Sequence, residues 1–151
     1  MHPPRASTDD DVGAAALEFI LVGLVLLVPV VYLIVALGAI QAHALGVEAG
    51  SRHIARAIAT APDAVTADAR AQAILASVTE EYGIDPGAVH VSIGCRPAGA
   101  ACPSAGSTLL VTLTAAVPLP LVPPVLDLDR TVRVPVEAVT AQKVSRFWGT
   151  G

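Results

Sequence analysis

Charged and aromatic residues are both scarce in this chain of 151 residues. Asp, Glu, Lys and Arg together make up 15% of it, aromatic residues make up 3%, and the net charge is −4. A nucleic-acid-binding surface needs clustered basic residues interleaved with aromatic ones, so this composition argues against nucleic acid as a partner. The sequence also lacks a glycine-rich phosphate loop and a nucleophile motif beside a base. We therefore expect no catalytic residues, no cofactor and no enzymatic activity.

Metal ligands and cysteines are few as well. The four histidines are His2, His43, His53 and His90. Neither His43 nor His53 has a metal-binding spacing to an acid or a cysteine, and we expect no metal site. Cys95 and Cys102 are the only cysteines, and they bracket a predicted connection between two strands. Outside the cytoplasm we expect them to form a disulfide that closes this loop. Free thiols are the alternative, particularly if the topology is inverted.

The largest feature of the sequence is an uncharged apolar run. Residues 19–42 contain no Asp, Glu, Lys or Arg. As a helix this run is roughly 36 Å long, which is enough to cross a hydrocarbon core of about 30 Å. Its Leu, Ile, Val and Phe side chains favour insertion by about 5–10 kcal/mol, whereas the single acid at its edge, Glu18, costs at most about 3 kcal/mol. The run therefore predicts one transmembrane helix.

The segment before this run differs from an ordinary secretory signal. Such signals combine a basic N-terminal region, an apolar stretch of about 7–15 residues and a small-x-small cleavage site. Here the N-terminal region contains three consecutive aspartates, and the apolar run is longer. Ala42-His43-Ala44 does have the small-x-small pattern. Release of a secreted domain by signal peptidase after Ala44 therefore stays open as an alternative.

The apolar run is preceded by the sequence Gly13-Ala14-Ala15-Ala16-Leu17-Glu18-Phe19. A glycine, a glutamate five residues later and then an aromatic, followed by a long apolar helix, resemble the class III signal peptide of type IV pilins. The glutamate and aromatic together are typical of the tight-adherence (Flp) branch. Because the chain continues well beyond the helix, it is most similar to the TadE-like pseudopilins of that branch. The resemblance covers residues 13–56 and concerns only the layout beyond them.

This resemblance implies processing, location and partners. Prepilin peptidase would cut between Gly13 and Ala14, and Glu18 and Phe19 would serve assembly and recognition. The protein would be a single-pass protein of the cytoplasmic (inner) membrane with a cytoplasmic N-terminus and an extracytoplasmic C-terminal domain, and could enter the pilus. Its partners would be prepilin peptidase, the Flp major pilin, other pseudopilins, the inner-membrane pilus assembly platform and the lipid bilayer.

Elementary chemistry agrees with these roles. Glycine leaves the backbone at the cut unobstructed. Cleavage would create an α-amino group on Ala14, one helical turn from Glu18, and a carboxylate at an apolar boundary needs such a partner. The alternative is that Glu18 only extends to the interface. The orientation follows from the processing motif alone, because Arg5 precedes the run whereas Arg52 and Arg56 follow it.

Small residues recur at every fourth position around the end of the run, at Gly38, Ala42, Gly46 and Gly50. On a helix this spacing forms a stripe that allows a second helix to approach closely. Chance recurrence in an alanine-rich segment explains the spacing equally well. We expect the helix to continue as far as Pro62, with Glu48 and Arg52 forming an i,i+4 pair.

The remaining sequence predicts an α+β domain. Residues 66–82 read as an amphipathic helix with Thr66 as N-cap and Gly83 as the stop. Its apolar face consists of Ala71, Ile74, Leu75, Val78 and Tyr82. A turn at Asp85-Pro86-Gly87 follows. Alternating apolar residues then predict strands near residues 89–93, 109–114 and 131–137, with Pro135 on an edge strand or at a bulge. We expect the helix to cover one face of this small antiparallel sheet.

The sequence therefore predicts four parts. Residues 1–13 are a leader, residues 14–61 a transmembrane helix with its extracytoplasmic extension, residues 62–142 the α+β domain, and residues 143–151 a flexible tail. Residues 118–124, which are rich in proline, are expected to form an extended crossover between the second and third strands. The resemblance implies a minor pilin that acts in assembly of a Flp-type pilus. A membrane-tethered envelope protein unrelated to pili is the alternative from another class.

Overall fold

The computed structural model of the chain describes residues 9–99, 101–120 and 132–149, with side chains described from Ala15 onward. Most of the predicted leader and of the proline-rich crossover lies outside these residues. The chain divides into two compact units, Met1–Leu37 and Gly38–Gly151. The unit that contains the sheet is thus larger than the predicted domain of residues 62–142, because the second part of the first helix belongs to it.

The first helix, α1, comprises Asp9–Ala59. Its first part carries apolar residues on every side, which is the pattern of a helix surrounded by lipid or by other apolar helices. At its end, the Thr60 and Ala61 amides bond to the carbonyls of Arg56 and Ile58 at 3.1 and 3.2 Å. Pro62 follows, and its ring cannot continue a helix. The predicted end of this element is therefore confirmed.

The second helix, α2, comprises Ala64–Glu81 and begins earlier than predicted. Its N-cap is Asp63 and not Thr66. Asp63 Oδ1 accepts the Thr66 backbone N–H at 2.7 Å, and Oδ2 accepts the Thr66 hydroxyl at 3.0 Å. Aspartate caps helices better than threonine does, which explains the earlier start. The Thr66 hydrogen bonds lower the pKa of the Asp63 carboxyl because they stabilise its charged form. At the other end, Gly83 has φ +63° and stops the helix as predicted.

The apolar face of α2 packs into the domain. Val78 is buried, and the other predicted members of this face, Ala71, Ile74, Leu75 and Tyr82, pack against buried residues of the core. The 3.6-residue period of the sequence therefore identified the buried side of this helix correctly.

Three strands form one antiparallel sheet in the order β1-β2-β3. They comprise Val89–Arg96, Thr108–Pro118 and Arg133–Lys143, and a single 3₁₀ turn at Pro86–Ala88 precedes the first. This is the predicted α+β layout. Pro135 lies on the edge strand β3, opposite Ala116 of β2. Because an edge strand pairs on one side only, the missing N–H of Pro135 need not cost a hydrogen bond to a further strand. The third strand extends beyond residue 137 because Ala138, Thr140 and Gln142 continue its inward alternation.

The central strand supplies most of the core. Its alternate side chains are buried, namely Leu109, Val111, Leu113, Ala115 and Val117. Ile54 and Ile58 of α1 join Leu109 and Val111 in one buried cluster, and Val47 joins Leu113 in another. The second part of α1 is therefore a core element of the domain as well as the continuation of the apolar helix.

The first strand is less covered than expected. Val91 and Ile93 point to the helix side but remain 37% and 47% exposed. They line a cleft with the short side chain of Ala71 on α2. Because β1 is an edge strand and the opposing helix residue is small, the helix leaves this part of the sheet open.

The C-terminal residues are not the frayed tail that the sequence suggested. Val144 is buried, and its amide bonds to the Ser107 carbonyl at 2.9 Å. Trp148 packs against the core, and its indole Nε1 donates to the Ile58 carbonyl at 3.2 Å. The prediction was wrong for residues 144–149, because Val144 and Trp148 both pack on the core and Trp148 satisfies a helix-end carbonyl.

Candidate membrane-entry and assembly site

The first compact unit presents a long apolar surface. The large apolar side chains between Leu17 and Leu37 are 45–80% exposed. Among the described residues, α1 is the one helix that is long and apolar enough to cross a membrane. Such a surface is unfavourable in water and favourable in lipid, where a helix also satisfies its own backbone hydrogen bonds. The chain therefore has one helix suited to a single membrane crossing.

The two residues of the predicted cleavage site lie within this helix. Gly13 and Ala14 follow its first residue, Asp9, by about one turn. Their side-chain surroundings fall outside the described part of the chain. Cleavage between them would require the start of α1 to unwind. Glycine makes this easier, because it costs about 1 kcal/mol relative to alanine inside a helix.

Glu18 and Phe19 occupy the start of the apolar surface. Both side chains are exposed, Phe19 by 80%. Among the described side chains, no base lies within ion-pair distance of the Glu18 carboxylate. A carboxylate in this position is therefore free to take a partner that the described residues do not supply.

The stripe of small residues is divided between two environments. A Cβ atom added to Gly46 would lie 2.5 Å from Tyr82 Cγ, and one added to Gly50 would lie 2.9 Å from Leu113 Cδ2. Gly38 has nothing within 4 Å of such an atom, and Ala42 is exposed. Gly46 and Gly50 therefore admit α2 and β2 of the same domain, while close approach of another helix along Gly38 and Ala42 stays a prediction.

The two cysteines form a disulfide. Cys95 lies near the end of β1 and packs against the core, and Cys102 lies in the connection to β2, with the two Cα atoms 5.5 Å apart. The bond closes the connection between the first two strands, as predicted. Neither cysteine is free.

A groove with a volume of about 730 Å³ lies along the second half of α2. We call it the acidic groove; its lining residues are Gln72, Leu75, Ala76, Thr79, Glu80, Gly83, Ile84, Asp85 and Pro86. Its lining is mainly apolar, and Glu80 and Asp85 supply its negative charges. In the part of the chain that the structure describes, no group of three His, Cys, Asp or Glu residues could hold a metal ion.

Comparison with protein families, with curated proteins and with solved structures finds no match to this chain. Its function therefore has to be argued from its own residues.

Sequence reasoning missed the acidic groove and the contact of Tyr82 with Gly46. The groove depends on how the turn after Gly83 folds back beside α2, and no periodicity encodes that path. The contact had a partial signal, since Tyr82 was placed on the apolar face and Gly46 on the small stripe. What the sequence could not show is that these two surfaces face each other.

Proposed function

We propose that this protein is a TadE-like pseudopilin, or minor pilin, that acts in the assembly of a Flp-type type IV pilus. The observation that carries the proposal is the coincidence of Gly13, Glu18 and Phe19 at their mutual spacing with the start of an exposed apolar helix. A bare membrane helix alone would fit many tethered proteins. A glycine and an acid at the start of the helix, the acid having no ion-pair partner among the described residues, fit a protein that is cut there and then binds other subunits.

The mechanism we propose is structural. Prepilin peptidase removes residues 1–13 on the cytoplasmic side, and the new α-amino group appears on Ala14. In lipid, the Glu18 carboxylate is costly until an amino group neutralises it, either its own or that of an adjacent pilin. The pairing sets the position of this helix among the helices of the Flp major pilin and other pseudopilins at the assembly platform.

The disulfide supports the proposed orientation. Disulfides persist outside the cytoplasm and are rare inside it. Cys95 and Cys102 are bonded in a domain that follows the apolar helix. If the domain is extracytoplasmic and the N-terminus is cytoplasmic, the two cysteines lie where disulfides persist. The proposed cleavage site then lies on the side of the membrane where the peptidase cuts. This argument is independent of the basic residues, which do not favour the orientation.

N-terminal sequencing of the protein from cells that contain the peptidase tests the proposal. The pilin interpretation predicts Ala14 as the first residue, a tethered envelope protein predicts Met1, and release by signal peptidase predicts Leu45. We expect Gly13→Val to retain residues 1–13, whereas Gly23→Val, in the same helix with nothing within 4 Å of its Cβ position, is processed normally. Normal processing of Gly13→Val would contradict the proposal.

A second experiment separates processing from docking. Glu18→Gln removes the charge but keeps the size of the side chain, so we expect cleavage to continue while pilus assembly is reduced. Deleting the whole chain should abolish or alter surface pili. Normal pili after a clean deletion would exclude the proposed role even if cleavage occurs.

A further inference from the structure

The acidic groove combines apolar lining residues with Glu80 and Asp85, and among the described residues only Asp85 has an ion-pair partner. Its apolar lining residues include Leu75, Pro86 and the buried Ile84. Glu80 and Asp85 are exposed and also line it. Arg133 is the one described base near these acids, at 4.0 Å from Asp85. A ligand that buries apolar atoms and carries positive charge would fit this lining.

The acidic residues at the end of α2 lie where their charge destabilises the helix. Glu80 and Glu81 occupy the last turn of α2, which contains no basic residue. The C-terminal end of a helix carries partial negative charge, so acids there are unfavourable. Asp85 adds a third negative charge a few residues later. Residues that lower stability locally are expected at functional surfaces. A basic partner would neutralise these acids and so remove the unfavourable interaction with the end of α2.

A surface with the complementary character lies on α1 of the same chain. We call it the basic edge and define it by Leu45, Arg52 and Arg56. Leu45 and Arg52 are seven positions apart, and Arg52 and Arg56 are four positions apart, so the three side chains share one side of the helix. Leu45 is 59% exposed, and both arginines are exposed. Arg52 pairs with Glu48 at 3.3 Å, but its side chain remains 60% exposed.

The two surfaces lie at the same level of the domain. Beside the groove, Tyr82 packs over Gly46, and Val78 lies against Gly50. The groove residue Leu75 also lines a cleft with Ile54. The acidic groove is thus level with residues 46–54 of α1, and the basic edge spans residues 45–56 of the same helix. Two copies whose domains lie side by side in the same orientation therefore bring the two surfaces to one level.

We propose that a second copy of this chain docks laterally, with its basic edge in the acidic groove of the first. Leu45 meets the apolar lining residues, and Arg52 and Arg56 meet the acids around Glu80. No residue belongs to both surfaces, so each copy can use both at once. Contacts of this kind propagate as open rows or close as rings. The inference relies on the membrane anchor of the proposed function but not on cleavage after Gly13.

Charge inversion tests this directly. Full-length, uncleaved protein carrying donor or acceptor dyes on a C-terminal tag is reconstituted in phosphatidylcholine vesicles, and energy transfer is measured against protein density. Arg52→Glu with Arg56→Glu makes both surfaces acidic, and Glu80→Lys with Glu81→Lys makes both basic. For either variant alone we expect association about tenfold weaker than for the wild type, because like charges then face each other. The two variants mixed should regain it, since both possible contacts are then attractive.

Controls separate this contact from general attraction or misfolding. Arg70→Glu with Lys143→Glu changes the net charge as much as the arginine variant does but lies outside both surfaces, so it should associate like the wild type. The lysine variant relieves the unfavourable charge at the end of α2 and should fold at least as stably. Salt at about 0.5 M should weaken wild-type transfer. Unchanged transfer in either variant alone, or no recovery in the mixture, would overturn the proposal and leave the groove to another protein. Because no peptidase is present, that result would not bear on cleavage.

Discussion

The hydroxyls of Ser51 and Thr140 lie 2.8 Å apart and join α1 to the edge strand β3 across 89 positions of sequence. Ser51 is fully buried, and its hydroxyl also donates to the Glu48 carbonyl at 3.0 Å. A serine has one hydroxyl proton, so Thr140 is the donor of the shared bond. The pair fixes the register of the last strand against the first helix.

Replacing either hydroxyl should weaken the domain. We expect Thr140→Val to lower the free energy of unfolding by about 1 kcal/mol, because the shape is kept and one hydrogen bond is lost. Ser51→Ala should cost about the same, and the double variant less than the sum. Denaturant unfolding of the full chain in detergent micelles measures all three. Strict additivity would show that the two groups do not interact.

The three glycines of α1 from Gly38 onward should respond differently to alanine. Gly46→Ala places a methyl group among three ring atoms of Tyr82, at 2.5–2.9 Å, and should destabilise the domain by about 1–3 kcal/mol. Gly50→Ala should cost less, because its nearest contact is the end of the flexible Leu113 side chain. Gly38→Ala is the control and should not destabilise. Equal effects at all three positions would contradict the packing described for α2.

Removal of the disulfide should lower stability without changing the fold. The two cysteines are separated by seven positions, and a loop of that length contributes about 2–3 kcal/mol through the unfolded chain. Cys95→Ala with Cys102→Ala should lower the unfolding free energy by that amount.

In intact cells, a thiol-alkylating reagent should label the protein only after reduction. Labelling without a reductant would argue against an extracytoplasmic domain.

Trp148 should contribute more to stability than its place near the end of the chain suggests. Trp148→Ala removes a side chain that packs on the core and a hydrogen bond to the end of α1, so we expect a loss of about 2–3 kcal/mol. Phe147→Ala is the neighbouring comparison, and its effect should be smaller because Phe147 is 79% exposed. The unfolding midpoints of both variants, measured in micelles by circular dichroism, test this order.

Asp63 should make the domain sensitive to acid. Its folded pKa is lowered below the ordinary value of 3.8 by the Thr66 hydrogen bonds. Its contribution is therefore complete above that value and is lost as the pH falls through the folded pKa. Asp63→Asn keeps an acceptor for the cap but does not titrate there. We expect the wild type to lose more stability than this variant between neutral and strongly acidic pH, as measured by the unfolding midpoint.

Much of the fold could be predicted because its elements are local patterns. The apolar face of α2 was identified from the spacing of Ala71, Leu75 and Val78, and the strands from alternation. The start of α2 was misplaced because Asp63 and Thr66 can both cap a helix, and the sequence interpretation chose the weaker of the two. The length of β3 was underestimated because alanine and glutamine carry a weak strand signal.

The candidate site divides in the same way. Gly13, Glu18 and Phe19 are consecutive features of the sequence, so the sequence alone can identify them. The acidic groove and the basic edge are assembled from residues far apart in the chain, and their common level depends on Tyr82 packing over Gly46. Tertiary contacts of that kind leave no periodic pattern, since each partner only appears as one more apolar or small residue.

The contact of Trp148 with the end of α1 has a consequence for biosynthesis. The ribosome makes α1 before the tryptophan, so the domain cannot complete its core until all residues up to Trp148 have emerged. Until then, the side of α1 that will contact β2 and β3 is uncovered. We expect nascent chains that stop before β3 to be degraded or held by chaperones, however well their anchor is inserted.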